Sequence, residues 1–327
     1  MIGGFSMKTL LIFPPSSDPT QPYHSLAYLS AFLRQRGCSV VVKDANIEAY
    51  DRLLTRSELQ PRVGRVGERL GRLNRKRSLS FDEQKEYLAV CRAWGGAPYA
   101  AENVERAKAR LRDPHSFYDP EAYDWSVRVI QAALRLISAS HHPLELSFTR
   151  YSTPFHMLSC EEILADMREG TNPFLDYYES HLARAVNAER PGLVGISMVF
   201  PAQLAQGFII AWLLRRGFPN LHVVGGGPAL TQLAIRQNDA ALRKLFAFFN
   251  SIVAYEGEQA LWALIQRLQR GRDPVGLRNV IWLDRKRDTL HFNREPLLED
   301  LDALPCPDYD GYPLKAYLSP SLVLPYS

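Results

Sequence analysis

Two patterns alternate along the chain. Short apolar runs rich in β-branched residues read as strands buried on both faces; they are Lys8–Phe13, Ser39–Lys43, Gly192–Met198, Leu221–Val224 and Ser251–Ala254. Between them, apolar residues recur every three or four positions, as on one face of a helix. This spacing covers Leu26–Leu33 before Gly37, Ala202–Arg216 before Gly217, Thr231–Phe249, and Gln259–Arg270. The glycines are helix stops. Two strand–helix–strand units result, and their length implies parallel pairs with right-handed crossovers. Asn279–Leu283 and Thr289–Phe292, on either side of Asp284–Asp288, alternate like a hairpin at a sheet edge. The expected class is α/β, with a doubly wound parallel sheet. Ligands of such sheets sit beyond the carboxyl ends of the strands, where the loops Ser197–Phe200 and Gly225–Pro228 fall.

Residues 53–189 read differently. No strand pattern stands out from Tyr50 to about Asn187, whereas helical spacing recurs over Glu83–Trp94, Ala101–Leu111, Asp124–Ser140, Cys160–Glu169 and Pro173–Ala188. The expectation is a large helical insertion after the second strand, dividing a sheet domain into 7–52 and 190–295. Arg62, Arg65, Arg69, Arg72, Arg75, Lys76 and Arg77 repeat at near-helical intervals. They form either an anion-binding surface or, the plainer reading, a solvated basic face. Trp94, Tyr99, Phe117, Tyr118, Tyr123 and Trp125 line a pocket or make the insertion's own core. Residues 296–327 are proline-rich and read as a linker.

Composition changes this picture little. The chain has 327 residues, 46% of them hydrophobic and 23% charged, which suits one or two globular domains. A formal charge of +4 calls for neither nucleic acid nor a membrane surface. No run approaches the roughly 18 apolar residues of a membrane span, and Met1–Met7 is too short and uncharged for a secretory signal. Cys38, Cys91, Cys160 and Cys306 lie far apart without a CxxC pair, so no zinc or iron–sulfur site is expected within the chain. The expected location is the cytoplasm, with free thiols.

The candidate chemistry gathers at the strand ends. Ser197 ends a strand, but no His or Asp nearby in sequence makes it a nucleophile. Gly225-Gly226-Gly227-Pro228 lets a flat ligand approach the backbone, without the GxGxxG or GK[ST] of a phosphate fingerprint. Tyr255-Glu256-Gly257-Glu258 falls at the same edge; its carboxylates accept from a ligand or cap the following helix. Asp44 and Asn46 follow the second strand and reach toward the same rim. The eight histidines show no metal-ligand spacing.

In order and spacing these segments resemble the amino-terminal cobalamin-binding domain of class B radical SAM enzymes, closest to the branch that methylates or matures ribosomally made peptides. The resemblance rests on Leu11-Ile-Phe-Pro-Pro15, the helix around Leu26–Arg36 with Gly37, Asp44-Ala-Asn46, and Tyr50-Asp51. Further matches are Gly195-Ile-Ser197 with Gln203, Gly225-Gly-Gly-Pro228, Glu256-Gly-Glu258, the tail Glu299–Asp308, and Tyr317-Leu-Ser319. It covers 7–52 and 190–327.

The resemblance implies a Rossmann-like sheet of the cobalamin-binding type, with cobalamin across its carboxyl edge and the nucleotide tail running down between strands and helices. Ser197 and Gly225–Gly227 would meet the tail, and Tyr255, Glu256, Gly257 and Glu258 would flank the corrin. Pro15, Ser16, Asp44, Asn46, Met198, Val199, Gln203 and Pro228 complete the implied cofactor set. The DxHxxG motif is missing; the first loop reads Pro14-Pro-Ser-Ser-Asp18, which implies cobalt without a protein imidazole. The family's CxxxCxxC motif is expected just after Tyr326-Ser327, where the sequence stops. The [4Fe–4S] cluster and S-adenosylmethionine therefore belong to a part not contained here, and the chain alone is read as a binding module rather than a catalyst. The parent reaction would be radical methyl transfer to a peptide or small natural product, held in part by the helical region. The alternatives are a non-catalytic, peptide-binding partner with a degenerate cobalamin domain, or an enzyme acting on a nucleotide or sugar, which the missing phosphate fingerprint disfavours.

Overall fold

The structure, a computed structural model, describes residues 7–156, 159–168 and 172–320. The elements in chain order are β1 (Thr9–Phe13), α1 (Ser25–Gln35), β2 (Val40–Asp44), α2 (Ala45–Leu53), α3 (Arg56–Asn74) and α4 (Phe81–Trp94). They continue with α5 (Ala97–Arg112), α6 (Pro114–Phe117), α7 (Pro120–Ser140), β3 (Glu145–Leu146), β4 (Tyr151–Ser152) and α8 (Cys160–Arg168). A π-helical turn (Tyr177–Leu182) leads into α9 (Ala183–Glu189), β5 (Leu193–Ser197), α10 (Leu204–Gly217) and β6 (His222–Gly226). Last come α11 (Pro228–Ile235), α12 (Asp239–Leu245), β7 (Ser251–Val253), α13 (Glu258–Gln269), β8 (Val280–Asp284) and β9 (Thr289–His291).

The main sheet runs β2-β1-β5-β6-β7-β8-β9. Its first five strands are parallel, and β8 and β9 add antiparallel at one edge. Counting only the parallel strands, the order is 2-1-3-4-5, one of the two common doubly wound arrangements. The chain leaves β1 toward one edge and β5 toward the other, so the order reverses between these neighbours. That reversal opens a crevice at the carboxyl ends of β1 and β5.

Side-chain alternation separates two cores. Leu10, Ile12, Val194, Ile196, Val223 and Ile252 face α10 and the helices between β2 and β5 in one continuous buried cluster. Leu11, Phe13, Leu193, Val224 and Val253 face α1 and α13 in the other. The helices α3 to α7 share their apolar core with the sheet face they cover. Thr55, Ser80 and Asp119 cap the starts of α3, α4 and α7 with side-chain oxygens.

Several expectations shift. The strand-free region holds the two-residue strands β3 and β4, too short to show a period-two pattern. Thr231–Phe249 is two helices, because Asn238 caps a new one with a bond from Ala241 N. The predicted end of α8 at residue 169 and the last seven residues of the proline-rich tail, 321–327, lie outside the described residues. Along the basic segment, Arg62 and Arg72 of α3 pair with Glu58 and Glu86 at 2.8 Å each, and Lys76 just past its end pairs with Glu83. Much of its charge is thus answered within the helical region. The tail has no long element, as its prolines predict, yet it is packed: Tyr312, Tyr317 and Leu318 are buried.

Candidate functional site

At the carboxyl end of the sheet a slot of about 230 Å³ descends between the sheet and the helices α1 and α13. Its floor is Leu11, Gly195, Ser197, Val224, Gly226 and Val253, residues of four adjacent parallel strands. Glycines at two of these positions keep the floor low. A Cβ on Gly226 would stand 3.5 Å from Val253 O and 3.8 Å from Val253 Cβ, ordinary contacts, so no neighbouring side chain fills the space above it. Gly195 is tighter, its Cβ meeting Leu11 Cδ2 at 2.9 Å. One wall is Ser25, Tyr28 and Leu29 of α1; the other is Tyr255 to Glu258 and Leu261.

Gly227 is required for a different reason. Its φ is +98°, and a Cβ there would lie 2.4 Å from Met198 O. The glycine therefore lets β6 turn against the end of β5, and Met198 ties the two by accepting from Ala229 N at 3.1 Å and donating to Gly226 O at 2.8 Å. Tyr255 also sits at positive φ, +62°, unusual for a bulky residue. Thr231 Oγ1 accepts from its N–H at 3.1 Å, and its hydroxyl donates to Arg294 O at 3.2 Å. These bonds hold the ring at the slot's rim.

The electrostatics are one-sided. No Lys, Arg or His appears among the lining residues, whereas Glu256 and Glu258 do. Burial, with Glu299 and Glu256 beside it, pushes the Glu258 carboxyl above its ordinary range. The slot can accept hydrogen bonds from a ligand and enclose an apolar ring, but it offers no cation to pair with a polyphosphate. Ser197 Oγ and Ser25 Oγ lie 3.2 Å apart, two hydroxyls that either donate or accept.

The expected site residues divide. Ser197, Gly225, Gly226, Gly227, Pro228, Tyr255, Glu256, Gly257 and Glu258 line the slot. Pro15, Ser16, Asp44, Asn46, Met198, Val199 and Gln203 do not; Asp44, Asn46, Met198 and Gln203 instead hydrogen-bond to the backbone around it. Gln203 accepts from Val199 N at 2.9 Å and Phe200 N at 3.0 Å, and donates to Pro14 O at 2.6 Å. It therefore clamps the loops after β5 and β1 together. Asn46 accepts from Ser17 N at 2.9 Å and donates to Ser17 O at 3.0 Å. Asp44 caps α2, accepting from Asn46 N and Ile47 N at 3.1 Å each. The loop after β1, irregular in sequence, is held in one place by these polar side chains.

Sequence reasoning missed Ser25, Tyr28 and Leu29. Their spacing, i, i+3 and i+4, marks one helix face, but an apolar stripe does not say whether a neighbour covers it. Tyr28 remains 38% exposed. His24 precedes them and stacks on Tyr23 at 4.7 Å between centroids without lining the slot. Among the described residues no group of three or more His, Cys, Asp and Glu converges as a metal site, and no helix is long and apolar enough to cross a membrane.

Fold and slot together define an α/β protein with a Rossmann-like, mostly parallel sheet and an open slot at its carboxyl edge. Comparison with known proteins gives one distant relative: the chain is 27% identical over 143 residues to a protein of Pyrococcus horikoshii described as an uncharacterized methyltransferase. The match covers 42% of this chain and 28% of the relative, so the chain spans less than a third of it. No protein-family model matches the chain, and no solved structure matches it.

Proposed function

We propose that the chain is the cobalamin-binding module of an enzyme that transfers methyl groups by radical chemistry on S-adenosylmethionine, with the [4Fe–4S] cluster outside this chain. The observation that carries the reading is the slot, a low glycine floor over the switch point, walled by α1 and α13 and free of cations among its lining residues. A buried ring with a hydroxylated sugar suits it better than a di- or triphosphate. The order of the sequence segments and the methyltransferase description of the partial relative favour the same reading.

On this reading Ser197, Ser25 and Gly225–Gly227 hold the nucleotide tail, and Tyr255 to Glu258 stand beside the corrin. Cobalamin, when bound, supplies a methyl group carried on cobalt. The work of this chain is to bind and orient: the slot encloses the tail, Gln203 and Asn46 keep the neighbouring loops fixed, and Glu258 accepts a hydrogen bond at the rim. The slot would hold the tail's base, which a base-off spectrum tests. The substrate would be a peptide or small natural product presented at this edge of the sheet, with the cluster and S-adenosylmethionine held outside this chain.

The test is reconstitution of the purified chain with hydroxocobalamin, desalting, and a visible spectrum. A retained corrin band near one equivalent, with a base-off shape, is expected. A colourless protein that is folded by circular dichroism overturns the proposal and leaves the reading of a non-catalytic, peptide-binding partner.

A further inference from the structure

A second cavity, of about 530 Å³, borders the loop that follows β1. It is independent of whatever occupies the slot. Leu111 of α5 and Ile130 and Leu134 of α7 form its inner wall, and the rings of Phe117, Tyr123 and Phe148 stand around it. Phe117 meets Tyr123 edge-on at 5.3 Å between centroids. Gln21, Gln131, Ser147 and Thr149 are neutral hydrogen-bonding groups on its rim, and Asp18 is the one charged lining residue.

The cavity is built by segments distant in sequence, each tied in place. Tyr50 donates to Ser147 O at 2.7 Å, fixing the β3–β4 turn. Leu318 N donates to Pro19 O at 3.0 Å, and Ser319 Oγ donates to Thr20 O, fixing the loop after β1. Arg112, at the end of α5, donates to Asp51 at 2.7 Å and to the carbonyls of Tyr317 and Ala316. A concavity whose walls are held by polar ties is preorganised, and its volume lies within the roughly 300–1,000 Å³ of ligand pockets. Apolar walls left open to water on this scale are unfavourable unless something covers them.

We propose that this cavity binds an aromatic amino-acid side chain presented with its flanking peptide amides. The standing rings match an aromatic guest, which prefers edge-on or offset contact. Neutral amide and hydroxyl groups at the rim match the donors and acceptors of a peptide backbone. With no cation in the lining and Asp18 at the mouth, an anionic guest is disfavoured.

The experiment uses the full chain and a neutral dye, N-phenyl-1-naphthylamine, followed by fluorescence. One saturable site is expected, from which N-acetyl-L-tryptophanamide displaces the dye. Val127→Trp in the wall and Thr149→Trp on the exposed rim each weaken both ligands at least tenfold, with circular dichroism and melting midpoint unchanged. Gly226→Ala in the slot leaves them unaltered. Unchanged affinity in both cavity variants, or a loss confined to Gly226→Ala, overturns the proposal. So does at least tenfold tighter dye binding by a chain ending at Pro320, which would assign the cavity to residues 321–327.

Discussion

The hydroxyl of Tyr317 donates to Asp44 Oδ2 at 2.5 Å, joining positions 273 residues apart. Both side chains are buried. Asp44 ends β2 and caps α2, so a segment that reads as a spacer is fastened to the polar end of a core strand. Arg112 reinforces the joint through the carbonyls of residues 316 and 317. Residues 316 and 317 are therefore fastened to the domain rather than forming a free tether.

Tyr317→Phe removes this donor while keeping the ring. A buried carboxylate that loses a partner costs about 1–3 kcal/mol. The expected result is a lower urea midpoint and faster amide exchange over residues 314–319. Unchanged exchange there would show that the tail is held by other contacts.

Burial raises the Asp44 carboxyl to about 6, against the lowering effect of its bond from Tyr317. Its unfolded value is about 3.9, so between these limits the folded chain holds a proton that the unfolded chain has released. Stability from this group is greatest below about pH 4 and is lost as pH rises through 6. His222 acts in the opposite sense: burial lowers it to about 4, so its contribution is lost as pH falls from about 6.5 toward 4. The difference between Asp44→Asn and the natural chain isolates the carboxyl. Melting midpoints should show the advantage of Asp44→Asn growing from pH 4 to pH 7, and a shrinking advantage would contradict the assignment.

Gly226→Ala adds one methyl on the floor of the slot at ordinary contact distance from Val253. Stability should change by less than about 1 kcal/mol. Retention of hydroxocobalamin should weaken at least tenfold, about 1.4 kcal/mol, whereas cobinamide, which lacks the nucleotide tail, should bind as before. Equal weakening of both corrinoids in an equilibrium titration would move the tail out of the slot.

Gly227→Ala meets backbone instead of space. With φ at +98° and a Cβ 2.4 Å from Met198 O, the cost is on the order of 2–4 kcal/mol. Chemical denaturation should show it whether or not a ligand is present. A variant as stable as the natural chain would mean that the ends of β5 and β6 can separate without penalty.

Hydrophobic spacing alone determined much of this protein. Lys8–Phe13, Gly192–Met198 and Leu221–Val224 read as buried strands, and the periodic stretches between them as covering helices, because each burial pattern is local. Gly225–Gly227 and Tyr255–Glu258 were legible as lining one rim for the same reason, since strand ends in a parallel sheet share one edge, although Gly225 and Gly226 are the last residues of β6 rather than part of the loop after it. What remained hidden depended on contacts between distant segments. Ser25, Tyr28 and Leu29 became a slot wall only through the placement of α1 beside α13. Asp44, Asn46 and Gln203 read as ligand contacts because polar residues at strand ends often are, yet Asn46 and Gln203 bond to loop backbone and Asp44 to the start of α2 and to Tyr317. The packing of Tyr317 likewise has no signature in a proline-rich run. A single position reports which residue is apolar or polar; only the tertiary structure decides whether its partner is core, loop or open space.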